Sequence, residues 1–91
     1  MDRLAKKLAI RNKLGLHARA AALLVQTVNR FDAEVTISKD GQSVDGRSIM
    51  GVLTLAAARG SEIEVEAKGK QAEEALRAVE KLVDKKFFES E

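Results

Sequence analysis

A lone histidine with an arginine two positions later is the clearest chemical signal in the sequence. His17 is the only histidine in the 91-residue chain, and it lies with Arg19 in the segment NKLGLHAR. An imidazole nitrogen can bond covalently to a transferred group, and a guanidinium group hydrogen-bonds phosphate oxygens. The pair therefore predicts chemistry on an anion such as a phosphoryl group. The position is also compatible with a histidine that only caps a helix or lies on the surface.

The residues after His17 predict a helix, which would add anion-binding groups to the site. Helical spacing up to about Arg30 is kept by the apolar residues Ala21, Leu24, Val25, Val28 and Phe31. The backbone N–H groups of Ala18, Arg19 and Ala20 would lie in the first turn, where the helix offers them no acceptor. The positive end of the helix dipole disfavours a charged imidazole, so His17 is predicted to be neutral, with a nucleophilic lone pair.

The segment around His17 lacks the partners of a hydrolase. NKLGLHAR contains no second histidine, no carboxylate and no serine, so it offers no pair of nucleophile and base. Gly15, which has no Cβ, can adopt the backbone angles that turn the loop into the helix. Transfer of a group fits these residues better than hydrolysis.

Composition narrows the class of protein. The 91 residues predict one domain, 1–91, with a core of aliphatic side chains, because 45% of them are hydrophobic and only 3% are aromatic. A formal net charge of +2, with acids and bases interspersed, argues against nucleic acid as a partner. The absence of cysteine and the single histidine predict no disulfide, no metal site and no cofactor. No apolar run is long enough to span a membrane, so we expect a soluble, cytoplasmic protein without membrane insertion.

Alternating apolar and polar residues predict strands, and helical spacing predicts helices between them. Strands are expected at Leu8 and Ile10, at Val35 and Ile37, at Val44, and over 62–67 (EIEVEA), with a turn at Asp40-Gly41. Helices are expected after His17, after Ser48 and over 71–86. The order is β-α-β-β-α-β-α. Because each strand has one polar face, the three helices should cover only the other, giving a two-layer α+β sandwich with an open sheet.

The second predicted helix has more apolar residues than one face needs. Ser48 can cap its start, and Gly60 would mark its end about three turns later. One side would face the core with Val52, Leu55 and Ala56, and another side carries Ile49, Met50 and Leu53. The second group is either an exposed docking patch or, as the alternative, part of the core.

Two segments carry a resemblance to a known family. GLHAR at 15–19 and DGRSIMGVLTLAA at 45–57 resemble the active-site and regulatory-serine segments of HPr, the histidine-containing phosphocarrier of the bacterial phosphoenolpyruvate-dependent phosphotransferase system. The similarity covers nearly the whole chain. It implies a four-stranded antiparallel sheet with three helices, which agrees with the predicted order of elements.

The resemblance implies roles for individual residues. His17 matches the histidine that accepts a phosphoryl group, on Nδ1, from phosphorylated enzyme I and passes it to a IIA-type domain. Arg19 matches the arginine that accompanies the phosphate. Ser48 matches the serine that a kinase/phosphorylase modifies in some bacteria, although a serine here could also be a simple helix cap. A partner-docking surface is implied at Ala22, Arg47, Ile49, Met50 and Leu53.

Two positions depart from the family pattern and leave the branch open. Ala20 stands where the family normally has proline, which restores an N–H donor but makes the first turn less rigid. Leu14 stands where many sugar-pathway members have a small polar residue. NKLG and FDAEV resemble the nitrogen-related regulatory branch, whereas DGRSIMGV resembles the sugar-type members.

The resemblance gives one preferred function and one alternative. The preferred function is a monomeric phosphocarrier for sugar uptake, a relay component and not a stand-alone enzyme. The alternative is a regulatory phosphoprotein of the nitrogen-related branch that acts through protein interactions.

Overall fold

A computed structural model describes residues 3–89 of the chain. Its elements are, in order, β1 (Arg3–Ala9), α1 (Ala18–Val28), β2 (Glu34–Lys39), β3 (Gln42–Asp45), α2 (Ile49–Thr54), β4 (Glu62–Lys68), α3 (Ala72–Asp84) and a final single turn, Lys86–Phe88. This order confirms the predicted β-α-β-β-α-β-α arrangement. No helix within residues 3–89 is long and apolar enough to cross a membrane.

The four strands form one antiparallel sheet in the order β1-β4-β2-β3. β4 is central, and its register pairs Ile63 with Leu8 of β1 and Val65 with Ile37 of β2. These four apolar side chains are buried, whereas Glu62 and Glu64 on the other face of β4 are exposed. The helices therefore cover one face only, as the alternation in EIEVEA predicted.

The middle strands are joined as the sequence predicted. Asp40 and Gly41 both have positive φ angles, 51° and 85°, as a two-residue hairpin turn requires. α1 ends at Val28, two residues before the predicted end, and α3 spans Ala72–Asp84 within the predicted 71–86. The strongly periodic segments were thus predicted to within about two residues, the usual spread of helix-end assignments.

The prediction for the second helix was wrong in length. α2 has six residues and stops at Thr54, well short of the predicted three turns to Gly60. Ala56 has a left-handed φ of 48°, which ends the helix and leaves Ala56 exposed, where the sequence had predicted a core residue; Ala57 is buried in its place. The carbonyl of Ala57 then accepts a hydrogen bond of 2.9 Å from the Leu16 N–H. The segment after α2 therefore supports the loop before His17, which a continued helix could not do.

Candidate active site

His17 lies at the N-terminus of α1, as the sequence predicted. Its backbone is extended, with φ −84° and ψ −179°, and its carbonyl accepts the first hydrogen bond of the helix, 2.8 Å from the Ala21 N–H. The His17 side chain makes no capping hydrogen bond. The imidazole is therefore not used to close the helix, which argues against the interpretation of His17 as a simple cap.

The first turn of α1 presents free donors next to the imidazole. Among residues 3–89, no acceptor is paired with the backbone N–H groups of Ala18, Arg19 or Ala20. The Arg19 side chain is exposed and makes no hydrogen bond or ion pair with the described part of the chain. N–H groups at the positive end of a helix and a guanidinium group, none of them paired within residues 3–89, suit the oxygens of a phosphoryl group.

Gly15 sets the approach of the loop to this helix. Its φ is +67°, in the region that favours glycine, as the sequence predicted. A Cβ at this position would lie 2.4 Å from the carbonyl oxygen of Ala57, far inside van der Waals contact. Only a residue without a side chain lets the loop pack this closely on the segment after α2.

Sequence reasoning missed two residues of the site: Glu89, which contacts the imidazole, and Asn12, which contacts Glu89. The Glu89 carboxylate approaches His17, with Oε2 2.5 Å from Nε2. Asn12 donates from Nδ2 to the same Oε2 and to the Gly15 carbonyl, both at 2.8 Å. Burial opposes ionisation of the Glu89 carboxyl, but the interactions with Asn12, His17 and the Leu14 N–H together outweigh it and hold the pKa of Glu89 below its usual value. The site thus contains an ionised carboxylate that the segment NKLGLHAR does not.

No local pattern could have revealed Glu89, because 72 positions separate it from His17. Three successive residues with left-handed φ, Lys86, Phe87 and Phe88, turn the chain back after α3, and the buried Phe87 anchors this turn in the core. Asn12 was visible as the first residue of the quoted octapeptide. Its polar side chain in a loop next to a candidate acceptor was the one available signal.

Ser48 caps α2. Its Oγ accepts a hydrogen bond of 2.9 Å from the Gly51 N–H, and its carbonyl accepts one of 2.9 Å from the Val52 N–H. The capping role predicted for this serine is therefore present in the structure.

Replacing Ser48 by alanine is expected to destabilise the protein by about 1 kcal/mol, because the Gly51 N–H loses its acceptor. The measurement is the free energy of unfolding from urea titration. Ser61→Ala is the matched control, since the Ser61 side chain makes no hydrogen bond within residues 3–89. Equal stabilities for the two variants would contradict the capping role.

The apolar residues of α2 divide between core and surface. Val52 and Leu55 are buried, whereas Ile49 and Met50 are 41% and 73% exposed. Leu53 is half-buried, as is Ala22 of α1. The alternative that all the apolar residues of this helix belong to the core was therefore wrong.

Arg47, just before Ser48, is tied to the chain's own backbone. Its guanidinium donates to the carbonyls of Phe31 and Ala33 at 3.2 and 3.0 Å. These hydrogen bonds hold its positive charge beside the segment between α1 and β2.

Comparison with known proteins decides the family. Residues 4–85 match the family model described as "PTS HPr component phosphorylation site". The chain belongs to the HPr family. The phosphocarrier protein HPr of Neisseria meningitidis serogroup A is 46% identical over 88 residues, which cover 97% of this chain and 99% of the relative. Membership makes the chain an HPr-type phosphocarrier of the phosphotransferase system.

Solved HPr structures have the same fold. HPr-C-His from Thermoanaerobacter tengcongensis superposes with a TM-score of 0.91 at 38% identity, covering 100% of both chains. An HPr dimer from the same organism superposes with a TM-score of 0.77 at 41% identity, covering 90% of this chain and 94% of that one. The predicted HPr-like fold is confirmed. The dimeric state is a property of the protein from Thermoanaerobacter tengcongensis.

Proposed function

We propose that this HPr-family chain accepts a phosphoryl group on His17 from phosphorylated enzyme I and donates it to IIA-type domains, in support of sugar uptake. One observation carries the proposal: the imidazole of His17 lies at a helix N-terminus whose first three N–H groups, Ala18 to Ala20, have no acceptor among residues 3–89. These donors are positioned for an anion before it arrives, so little reorganisation is needed when it does.

The transfer is an in-line displacement at phosphorus. The lone pair of His17 Nδ1 attacks the phosphorus of the donor's phosphohistidine, so that a new N–P bond forms as the donor's N–P bond breaks. The bonding electrons return to the donor's imidazole nitrogen. The N–H groups of the first turn and the Arg19 guanidinium stabilise the negative charge on the equatorial oxygens. A second displacement of the same kind, now with phosphorylated His17 as the donor, passes the group to the next acceptor.

The exposed patch of Ile49 and Met50 is the proposed docking surface for these partners, with Ala22, Arg47 and Leu53 at its margin. Exposed isoleucine and methionine side chains suit reversible contacts with several proteins, because methionine adapts its packing. Ser48 adjoins this patch. A phosphate on its Oγ would be tolerated at the N-terminus of α2 but would place negative charge where an acidic partner approaches.

The proposal is tested by stepwise transfer. The protein is incubated with enzyme I and phosphoenolpyruvate, and intact mass is measured before and after acid treatment. We expect one acid-labile phosphoryl group per chain, which moves to a sugar-type IIA domain when that domain is added. Lack of labelling, while a known carrier is labelled in parallel, would contradict the proposal. Transfer to a nitrogen-type IIA domain alone would favour the regulatory alternative.

Regulation at Ser48 is tested separately with an HPr kinase/phosphorylase and ATP. We expect an acid-stable phosphate in the wild-type protein and none in Ser48→Ala. An acid-stable phosphate that persists in Ser48→Ala would place the modification elsewhere.

We also propose that the protein works as a cytoplasmic monomer without a cofactor. Light scattering after gel filtration measures the mass in solution, and a mass of two chains would contradict the monomer.

A further inference from the structure

We propose that Glu89, held by Asn12, is a positioning residue that fixes the imidazole of His17 with its proton on Nε2 and its free lone pair on Nδ1. This inference rests on the proposed function, because it explains which nitrogen receives the phosphoryl group. The observation behind it is the 2.5 Å contact between His17 Nε2 and Glu89 Oε2.

The chemistry of the two groups determines where the proton lies. An ionised carboxylate can only accept hydrogen bonds, so a neutral imidazole that hydrogen-bonds to it through Nε2 must carry its proton there. The other ring nitrogen, Nδ1, then has the unshared pair. The carboxylate also prevents the ring from turning over without loss of this hydrogen bond. Glu89 thus selects both the tautomer and the orientation of His17.

Asn12 holds the Glu89 carboxylate in place through a hydrogen bond. Its side chain is completely buried, at 0% exposure, and its Nδ2 faces two oxygen acceptors, Glu89 Oε2 and the Gly15 carbonyl. Because both partners are acceptors, the amide nitrogen must point toward them. Asn12 therefore links the carboxylate to the same loop that delivers His17. The Leu14 N–H lies 3.5 Å from the second carboxylate oxygen and adds a weaker interaction on that side.

The turn that precedes Glu89 has a strained backbone. Lys86, Phe87 and Phe88 have φ angles of 56°, 53° and 60°, a conformation that costs non-glycine residues roughly 1–2 kcal/mol each. Such strain persists only where surrounding contacts hold it, and the buried Phe87 is one such contact. The result is a carboxylate with 9% side-chain exposure against an imidazole with 27%, so the pair is partly shielded from water.

The single histidine makes a direct test possible. The unphosphorylated protein is labelled with 15N-histidine, so its NMR spectrum shows the nitrogen signals of one imidazole. The spectrum is recorded at about pH 9, well above the range where imidazoles titrate. We expect a pyrrole-type Nε2 with a downfield, slowly exchanging proton and a pyridine-type Nδ1. In Glu89→Ala the signal of the downfield proton should disappear. The 15N chemical shifts of both ring nitrogens should move toward the values of an equal mixture of the two tautomers. Glu89→Gln keeps an acceptor oxygen and should retain part of the signal.

Glu74→Ala is the matched control, because Glu74 is an exposed glutamate in the first turn of α3, at the opposite end of that helix from the site. Its spectrum should equal the wild type. Phosphorylation of Glu89→Ala by enzyme I should be slower by about 10-fold, by analogy with the lower end of the cost of losing the carboxylate partner of a metal-binding histidine.

Three results would each overturn the positioning role. They are an Nδ1-protonated tautomer in the wild type, unchanged 15N shifts in Glu89→Ala, and changed 15N shifts in that variant without a change in its phosphorylation rate. The tautomer is read without any phosphoryl donor. Failure of this inference is therefore distinguishable from failure of the proposed function.

Discussion

Replacing His17 by alanine is expected to abolish phosphoryl acceptance, with a fall in rate of at least about 1,000-fold, as for loss of a nucleophile. Alanine has no lone pair to attack phosphorus, and the chain contains no second histidine that could substitute. The protein should remain folded, because the His17 side chain makes no capping hydrogen bond to α1. The measurement is the rate of phosphorylation by enzyme I and phosphoenolpyruvate, with an amide NMR spectrum to establish the fold.

Lys13→Ala is a suitable control for this prediction. Lys13 is exposed in the same loop, and its loss removes a side chain near the site without removing the acceptor. A His17→Ala protein that is labelled as fast as Lys13→Ala would place the phosphoryl group on another residue.

Replacing Gly15 by alanine is expected to destabilise the protein by about 2–5 kcal/mol, the sum of two effects of different origin. A left-handed φ of +67° costs an alanine roughly 1–2 kcal/mol. The new Cβ would also meet the Ala57 carbonyl oxygen at 2.4 Å, and overpacking of this kind costs about 1–3 kcal/mol more. The loop can relieve the contact only by moving away, which would displace His17 from its position and lower the rate of phosphorylation.

Gly41→Ala separates the two effects. Gly41 has a φ of +85°, but a Cβ there would have no atom within 4 Å. Its cost should therefore reflect backbone strain alone, and urea unfolding of both variants gives the contribution of the contact with Ala57 by difference. If Gly15→Ala were no less stable than Gly41→Ala, the close packing of the loop would not matter.

The sequence was sufficient to predict the structure wherever the interactions that determine it are local. The alternation in EIEVEA predicted β4 and its buried face, and Asp40-Gly41 predicted the hairpin turn because few other dipeptides adopt two positive φ angles. The same is true of His17 at a helix start and of Gly15 before it, since both depend on neighbours within a few positions.

Local signals failed where distant segments determine the structure. The apolar run after Ser48 continues beyond Thr54, but α2 ends there because Ala57 must meet the loop at Leu16, about 40 positions earlier in the chain. Glu89 reaches His17 only through a strained turn after α3, in residue types that give no sign of left-handed φ. The sequence therefore predicted that His17 lies at a helix start beside N–H groups of the first turn, and it missed the carboxylate that contacts His17 Nε2.

Transfer of the phosphoryl group to His17 Nδ1 is tested most directly by NMR of the phosphorylated protein. The protein with 15N-labelled histidine is phosphorylated by enzyme I and phosphoenolpyruvate, and the 15N–31P coupling identifies the nitrogen bonded to phosphorus. We expect one phosphoryl group per chain, coupled to Nδ1 of His17. A phosphoryl group coupled to Nε2, one attached to another residue, or no phosphorylation beside a carrier labelled in parallel would contradict it.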